Sequence, residues 1–229
     1  MSSIERLVQQ YRALRCHPIA AGLPDLLTQA EANELSYLQL AEQRVELERQ
    51  GRERNRHTLN LRKAGFPAIK RLEEFDFRFL DERANRVFIG PPGVGKTHLA
   101  IAIALKAVAA GYKALFTTTL TLVEALEIAE LKGELKKKIA SLLKFDLLVV
   151  DELGYLPMNR QGTYNLFQLI NGLYEFRSVI LTTNKDFTNW GEFLREDNVA
   201  VPIVDRLIHH SQVFMLGGES YRLKQKLAN

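Results

Sequence analysis

Residues 87–97 read Val-Phe-Ile-Gly-Pro-Pro-Gly-Val-Gly-Lys-Thr. The first three residues are apolar and predict a short buried strand, and residues 90–97 match the phosphate-loop pattern G-x-x-x-x-G-K-[ST] at every fixed position. Residues 99–110 are rich in Ala, Leu and Ile and contain no helix breaker, so a helix is predicted directly after the loop. This order of strand, loop and helix predicts a site for a nucleoside triphosphate.

The residues of this loop suit a bound triphosphate. Its three glycines let the backbone curl so that successive N–H groups point at an anion, and the start of the following helix adds partial positive charge. Lys96 can reach the β- and γ-phosphates, and the Thr97 hydroxyl is placed to ligate Mg²⁺. The predicted nucleotide contacts are Gly90, Pro91, Pro92, Gly93, Val94, Gly95, Lys96, Thr97 and His98.

A second strong signal is the run at 145–152, Phe-Asp-Leu-Leu-Val-Val-Asp-Glu. Apolar residues that end in two acids predict a central parallel strand whose carboxyl end opens into a ligand crevice. There Asp151 can hold Mg²⁺, and Glu152 can polarise a water molecule for attack on the γ-phosphate. Either acid alone would suit a helix cap, but the phosphate loop upstream favours the catalytic interpretation.

Two further polar residues follow predicted elements. Residues 178–184 predict a β-branched strand that ends at Asn184, which can bond the γ-phosphate or orient water, although a turn asparagine also fits this position. Arg206 lies in a predicted helix over 201–211, which precedes a last strand over 213–216. An arginine there can act as a finger that reaches the nucleotide of a neighbouring subunit, because charge develops on the γ-phosphoryl group.

The composition excludes several classes of protein. A chain of 229 residues that is 46% apolar can bury a sizeable core. The single cysteine, Cys16, excludes a disulfide framework and a cysteine-based zinc site. No apolar run approaches the ~20 residues of a membrane span, and the N-terminus lacks the apolar core of a signal peptide. We therefore expect a soluble, cytoplasmic protein that does not engage a membrane.

The sequence pattern of the N-terminal part predicts a small all-helical domain. Apolar residues recur at helical spacing over 4–14, and a longer helix is predicted over 33–61. Pro18 and the Gly-Leu-Pro sequence at 22–24 are expected to interrupt this pattern, which leaves a short second helix around 26–27.

The break at residues 64–67, Ala-Gly-Phe-Pro, is the best candidate for a domain boundary. It separates a basic helical domain over 1–64 from a nucleotide-binding domain over 65–229.

Basic residues are concentrated in one stretch of the chain. Residues 49–71 contain eight Arg or Lys residues and a single acid, Glu53. Such a stretch can follow the phosphates of a nucleic acid, although a solvated helix face is the alternative. A second lysine cluster lies where two predicted helices, 122–129 and 134–143, meet. The candidate DNA contacts are Arg49, Arg52, Arg54, Arg56, Arg62, Lys63, Lys132, Lys136, Lys137 and Lys138.

Other positions leave alternatives open. Trp190 suits either a contact with a partner or a cap on the core. The adjacent His209 and His210 would point in different directions on a helix, so they predict no metal site. Three alternating aromatic residues could line a purine pocket or pack in the core: Phe75, Phe77 and Phe79.

Together these motifs resemble the initiator-type AAA+ ATPases, and within them the IstB-like transposition helpers and the DnaC-like helicase loaders. The resemblance is carried by residues 90–97, 147–155, 182–184, 204–207 and 218–222. The basic N-terminal module and residues 66–70, 153–155, 189–192 and 209–210 look more like the IstB-like branch.

The resemblance assigns roles to individual residues. It implies that Lys96 and Thr97 form Walker A, that Asp151 and Glu152 form Walker B, and that Asn184 is sensor 1. Arg206 looks like the arginine finger that acts in trans, and Arg222 looks like a sensor-2-type arginine.

The implied fold is an α/β phosphate-loop AAA+ domain: a parallel sheet flanked by helices, an extra helix within 122–143, and no C-terminal helical lid. The implied function is assembly on double-stranded DNA with ATP and Mg²⁺, as a homo-oligomer that shares its nucleotide sites. The assembly would bend the DNA and present it to a partner transposase. The alternative is a helicase loader that holds single-stranded DNA. A monomeric metabolic kinase is disfavoured because the chain shows no acceptor-site signature.

Overall fold

The computed structural model describes residues 1–68, 85–194, 197–209 and 211–227. The chain forms two compact units, Met1–Leu59 and Asn60–Asn229. The first unit contains α1 (Ser3–Ala13), α2 (His17–Ala32) and most of α3 (Tyr37–Ala64). The last turn of α3 belongs to the second unit, where Asn60 donates to the main-chain oxygen of Gly111 and Ala64 is fully buried.

The predicted interruption of the second helix is wrong. Helix α2 runs for 16 residues through both prolines. Pro18 lies in the first turn, where a helix needs no N–H donor, and Pro24 lies inside the helix. Burial of the neighbouring Leu23 and Leu26 supports the helix at that point.

Helix α3 begins later than predicted, at Tyr37. Ser36 and Gln39 cap its start reciprocally: the Ser36 hydroxyl accepts the N–H of Gln39, and the Gln39 side chain accepts the N–H of Ser36.

The second unit is built on a five-stranded parallel sheet, which confirms the predicted fold class. The strands lie in the order β2-β3-β4-β1-β5, and each neighbouring pair is parallel. Their bounds are β1 Asn85–Ile89, β2 Ala114–Thr118, β3 Leu147–Leu153, β4 Ser178–Thr183 and β5 Ser211–Met215. The carboxyl ends of all five strands therefore lie at one edge of the sheet, which we call the ligand edge.

Helices cover both faces of the sheet. Their bounds are α4 Lys96–Ala109, α5 Thr119–Leu131, α6 Leu135–Leu142, α7 Arg160–Leu173, α8 Trp190–Leu194, α9 Asp197–Ile208 and α10 Tyr221–Leu227. Helix α4 packs on one face with Leu147 and Val149 of β3, and helices α5 to α9 pack on the other with Leu148 and Val150. Alternate residues of β3 thus pack into the two hydrophobic cores, one on each face of the sheet. Helix α7 is absent from the sequence-based prediction.

The structure decides one alternative that the sequence left open. Trp190 is fully buried, packs against Phe187 and Phe193, and donates its indole N–H to the main-chain oxygen of Lys185. It is therefore a core residue.

After β5, the described residues form only the short helix α10 and no helical lid, as expected. None of the helices in the described ranges combines the length and apolar character needed to cross a bilayer. Several predicted features lie outside the described residues: Lys70, Arg71, the aromatic residues Phe75, Phe77 and Phe79, and His210.

Candidate nucleotide-binding site

The phosphate loop connects β1 to α4 at the ligand edge. Gly93 and Gly95 adopt left-handed backbone conformations, with φ of +87° and +98°, and Gly95 is the N-cap of α4. Residues with side chains rarely adopt this conformation, so the pattern of glycines is a requirement of the curled backbone. The first N–H groups of α4 are left available to an anion at this end of the helix.

Lys96 is buried against its own loop. Its side chain is 6% exposed, and its Nζ donates to the main-chain oxygens of Gly90 and Pro91, both at 2.7 Å. Burial lowers the pKa of Lys96, the Asp151 carboxylate opposes this shift, and the charge of Arg222 adds to it. Phosphate oxygens are charged acceptors and would bind this ammonium group more strongly than the two carbonyls.

Asp151 lies at the end of β3 and faces the start of α4. The residue is 4% exposed, and its Oδ1 accepts hydrogen bonds from the hydroxyls of Thr97, at 3.0 Å, and Thr182. A carboxylate beside a hydroxyl is the type of oxygen donor set that Mg²⁺ takes in nucleotide sites. No group of three or more His, Cys, Asp or Glu residues capable of holding a metal occurs in the described part of the chain. These donors therefore fit a Mg²⁺ that takes its remaining ligands from phosphates and water.

Glu152 has an unusual backbone conformation for a glutamate. Its φ is +63°, a left-handed value that costs roughly 1–2 kcal/mol in a residue with a side chain. Its side chain is exposed, whereas that of Asp151 is buried. The two neighbouring acids consequently have different environments.

Asn184 follows β4 at the same edge. Its Oδ1 is buried and has no hydrogen-bond partner within the described residues. A buried acceptor without a donor is costly, and this one lies at the position where the sequence predicts a contact with the γ-phosphate or the attacking water.

The segment after β5 lies against the phosphate loop. The Tyr221 N–H donates to the main-chain oxygen of Gly93 at 3.1 Å, and a Cβ on Gly93 would lie 2.1 Å from Ser220 Oγ. Arg222, in the first turn of α10, is near enough to influence the pKa of Lys96. The predicted sensor-2-type arginine is thus placed beside the loop. Ser220 is a contact that sequence reasoning missed.

Arg206 lies far from the phosphate loop of its own chain. It is in the last turn of α9, where Nε donates to Asn171 at 3.0 Å and the guanidinium lies over the rings of Phe167 and Tyr174. Asn171 is near the end of α7, which starts near the ligand edge and runs back along the sheet for roughly 16 Å before this residue. The structure therefore does not bring Arg206 together with Lys96, Asp151 and Glu152.

The candidate DNA contacts lie in two groups. In the first unit, Arg49, Arg52 and Arg56 are exposed and share one face of α3. Two of them are paired on the helix: Arg49 contacts Glu46 and Glu53, and Arg52 contacts Glu48. The hydrogen bonds from Arg49, followed by one from Gln50, lower the pKa of Glu46 to about 2. Arg54 is exposed as well, and so are Arg62 and Lys63, which lie in the last turn of α3 and belong to the second unit.

The second group lies in the turn between α5 and α6 and in α6 itself. Lys132, Lys136 and Lys137 are exposed there, Lys138 is half-buried, and Lys137 pairs with Glu134 at 3.3 Å.

An open cleft of about 270 Å³ lies between α5 and the segment that begins at Glu152, at the ligand edge. Its lining includes Leu120, Val123 and Glu124 of α5 together with Glu152 and Tyr155. Burial and the charges of Glu152 and Asp151 raise the pKa of Tyr155. Sequence reasoning did not identify this cleft, because its two sides are distant in the chain.

Comparison with known proteins then identifies the family. The model of the family described as "IstB-like ATP binding protein" matches residues 9–229. This chain belongs to that family. A relative in Pseudomonas aeruginosa, named as an insertion sequence IS21 putative ATP-binding protein, is 38% identical over 93% of this chain and 87% of its own length. The predicted family is therefore confirmed.

Two solved structures show the same fold as this IstB-like chain. The DnaC helicase loader superposes with a TM-score of 0.53 at 24% identity, over 63% of this chain and 82% of its own. AMPPCP-bound DnaA from Aquifex aeolicus superposes with a TM-score of 0.54 at 20% identity, over 71% of this chain and 56% of its own length. The chain therefore belongs to an ATP-binding family, and its second unit has the fold seen in DnaC and DnaA.

The contact at Gly93 generates a prediction. We expect Gly93→Ala to weaken ATP binding by about tenfold or more, because a left-handed alanine costs roughly 1–2 kcal/mol and its Cβ collides with Ser220. Gly133→Ala is the matched control, since Gly133 has φ of +67° with nothing within 4 Å of the added Cβ. Titration of a fluorescent ATP analogue measures both variants. Equal affinities in the two variants would contradict the prediction.

Proposed function

We propose that this IstB-like protein hydrolyses ATP, assembles on double-stranded DNA as a homo-oligomer with shared nucleotide sites, and delivers that DNA to a partner transposase. One observation supports the hydrolysis step above all. Lys96, Thr97, Asp151, Glu152 and Asn184 lie at one edge of a parallel sheet, around a glycine loop. We expect the protein to act in the cytoplasm, where ATP and DNA are both present.

The residues at this edge have complementary roles in the proposed reaction. Thr97 and Asp151 would hold Mg²⁺, which neutralises charge on the β- and γ-phosphates. Lys96 would exchange its two carbonyl partners for phosphate oxygens. Glu152, with its exposed carboxylate, would accept a proton from the attacking water, and the amide of Asn184 would orient that water or the γ-phosphate.

The position of Arg206 supports a nucleotide site shared between subunits. It cannot reach its own phosphate loop from the end of α9, yet it is exposed enough to serve a neighbour. A guanidinium supplied in trans stabilises the charge that develops on the γ-phosphoryl group. Its partners are the amide of Asn171, the main-chain oxygen of Pro202 and the rings of Phe167 and Tyr174, so no carboxylate in the described contacts neutralises it.

The exposed basic side chains support DNA as the surface for assembly. A repeated array of subunits would present α3 arginines and α6 lysines many times along the phosphates, so that weak contacts add up. Bending a duplex by 40–90° costs roughly 1–6 kcal/mol, which several subunits could supply together. The IS21 name of the relative supports a transposase as the partner.

Assembly on duplexes of increasing length tests this function. We expect large complexes on double-stranded DNA with ATP and not with ADP, above a minimum length. Glu152→Gln should bind ATP normally, slow hydrolysis by about 10²–10⁴-fold through loss of the base, and keep these complexes from dissociating. Fluorescent duplexes and single strands of equal length, at two salt concentrations, provide the measurement.

Preference for single strands would support the helicase-loader alternative instead. Wild-type turnover by Glu152→Gln would remove Glu152 from the proposed mechanism.

Arg206 allows a test of the shared site by mixing. We expect Arg206→Ala and Glu152→Gln each to be nearly inactive, while a 1:1 mixture recovers activity. In random assembly, about a quarter of the head-to-tail interfaces would pair an intact Glu152 with an intact Arg206. Phosphate release is measured for each variant and for the mixture. A mixture no more active than the average of its parts would contradict a finger acting in trans.

The lysines of α6 generate a further prediction. Lys136→Ala should reduce the slope of log affinity against log salt by about 0.9 if the side chain neutralises one DNA phosphate. Lys113→Ala is a suitable control, because Lys113 is also exposed but precedes β2, at the edge of the sheet opposite the nucleotide. Duplex binding is measured over a range of salt concentrations. If Lys136→Ala left the slope of log affinity against log salt unchanged, Lys136 would not contact a DNA phosphate.

A further inference from the structure

The two acids at the end of β3 form a bulge in the sheet. Val150 pairs with Leu181, but the next pair is Leu153 with Thr183, and the register is irregular between them. Two residues of β3, Asp151 and Glu152, therefore lie opposite a single residue of β4, Thr182. A bulge redirects side chains and increases local twist, and it requires a stable substitute for the lost ladder hydrogen bonds.

Thr182 supplies that substitute with its side chain. The residue is 1% exposed, and its hydroxyl donates to Asp151 Oδ1. The Oγ1 atom of Thr182 also accepts the N–H of Glu152 at 3.0 Å. A hydroxyl can donate and accept at the same time, whereas the isosteric methyl of valine can do neither. One atom is thus bonded to the carboxylate of one acid and to the backbone of the other.

Asp151 is held from its other side as well. The Thr119 hydroxyl, at the start of α5, donates to the main-chain oxygen of Asp151 at 2.9 Å. Hydrogen bonds thus hold both the backbone and the carboxylate of Asp151. The direction of the Glu152 side chain then depends on the backbone conformation between Asp151 and Glu152. Glu152 itself adopts the left-handed φ of +63°.

We propose that Thr182 is the positioning residue of this site: its hydroxyl orients the Asp151 carboxylate beside Thr97 and fixes the bulge that turns the Glu152 side chain out of the sheet. This inference rests on the proposed ATP hydrolysis. Thr182 acts through the two acids and contacts no substrate. Groups that hydrogen-bond a metal-binding carboxylate typically change metal affinity or activity by about 10–100-fold when they are removed.

Thr163 provides the matched control. It is also fully buried, and its hydroxyl donates to a main-chain oxygen, that of Leu194, at 2.8 Å. Thr163→Val and Thr182→Val both remove one buried hydroxyl, but only the second contacts the acids. A loss of general stability would affect both variants, and a loss of positioning would affect Thr182→Val alone.

The experiment compares Thr182→Val, Thr182→Ser and Thr163→Val in the full chain by three measurements. The first is exchange of the Glu152 amide hydrogen in EDTA, which should accelerate about tenfold or more in Thr182→Val. The second is the gain in ATP affinity when Mg²⁺ is added, which should fall by about 10–100-fold, and the third is kcat, which should fall similarly. Serine should restore all three, and Thr163→Val should leave them at wild-type values.

The outcomes separate this inference from the proposed function. The inference would be overturned if Thr182→Val kept the wild-type rate of amide exchange at Glu152 and the wild-type gain in ATP affinity on addition of Mg²⁺. It would also be overturned if Mg²⁺ did not raise the ATP affinity of the wild-type protein. If the wild-type protein binds ATP with Mg²⁺ but never hydrolyses it, the proposed function fails, and the first two measurements still decide the role of Thr182. If Thr182→Val does not fold, Thr182→Ala is measured in the same way.

Discussion

Five strands that all run in the same direction must end at the same edge, and this constraint governs the whole second unit. Each neighbouring pair in the sheet is parallel, so the chain crosses a face of the sheet between strands and arrives at the ligand edge each time a strand ends. The phosphate loop follows β1, the two acids lie just before the end of β3, and Asn184 follows β4. Residues separated by almost a hundred positions thereby meet around one loop. The helices on both faces bury the sheet and hold these ends in register.

Much of this arrangement could be predicted from short stretches of sequence. The phosphate loop is local, because its glycines and Lys96 act within a few residues, and β1, β3 and β4 each contain an uninterrupted apolar run of three or four residues. The path of α2 could not be predicted in the same way. Propensity places a break at Pro18 and Pro24, but Pro18 occupies the first turn and burial of Leu23 supports the rest. Tertiary packing outweighed the local signal.

The residues that sequence reasoning missed depend on register and on long-range contact. Thr182 looks like an ordinary β-branched strand residue until the bulge in β3 brings it opposite two acids. Ser220 lies in the stretch 218–222 that carries part of the resemblance, but its contact with the phosphate loop depends on the path of the chain after β5, which leads back to Gly93. The positions of Lys96, Asp151 and Glu152 follow from spacing, whereas the hydrogen bonds that orient them follow from which strands are neighbours. Arg206 shows the same limit, because its partners on α7 follow from packing alone.

Under the proposed sharing of nucleotide sites, the separation of Arg206 from the phosphate loop would give an assembly of this protein a direction. If each subunit offers a nucleotide at one face and a guanidinium at another, the contact is heterologous, and the two ends of an open row of subunits differ chemically. One terminal subunit has an ATP that no neighbour completes, and the other has a guanidinium with no nucleotide to serve. The first would retain its ATP while the interior sites turn over. Every contact between subunits in such a row would contain a nucleotide that turns over, and only closure into a ring would remove the two unmatched ends.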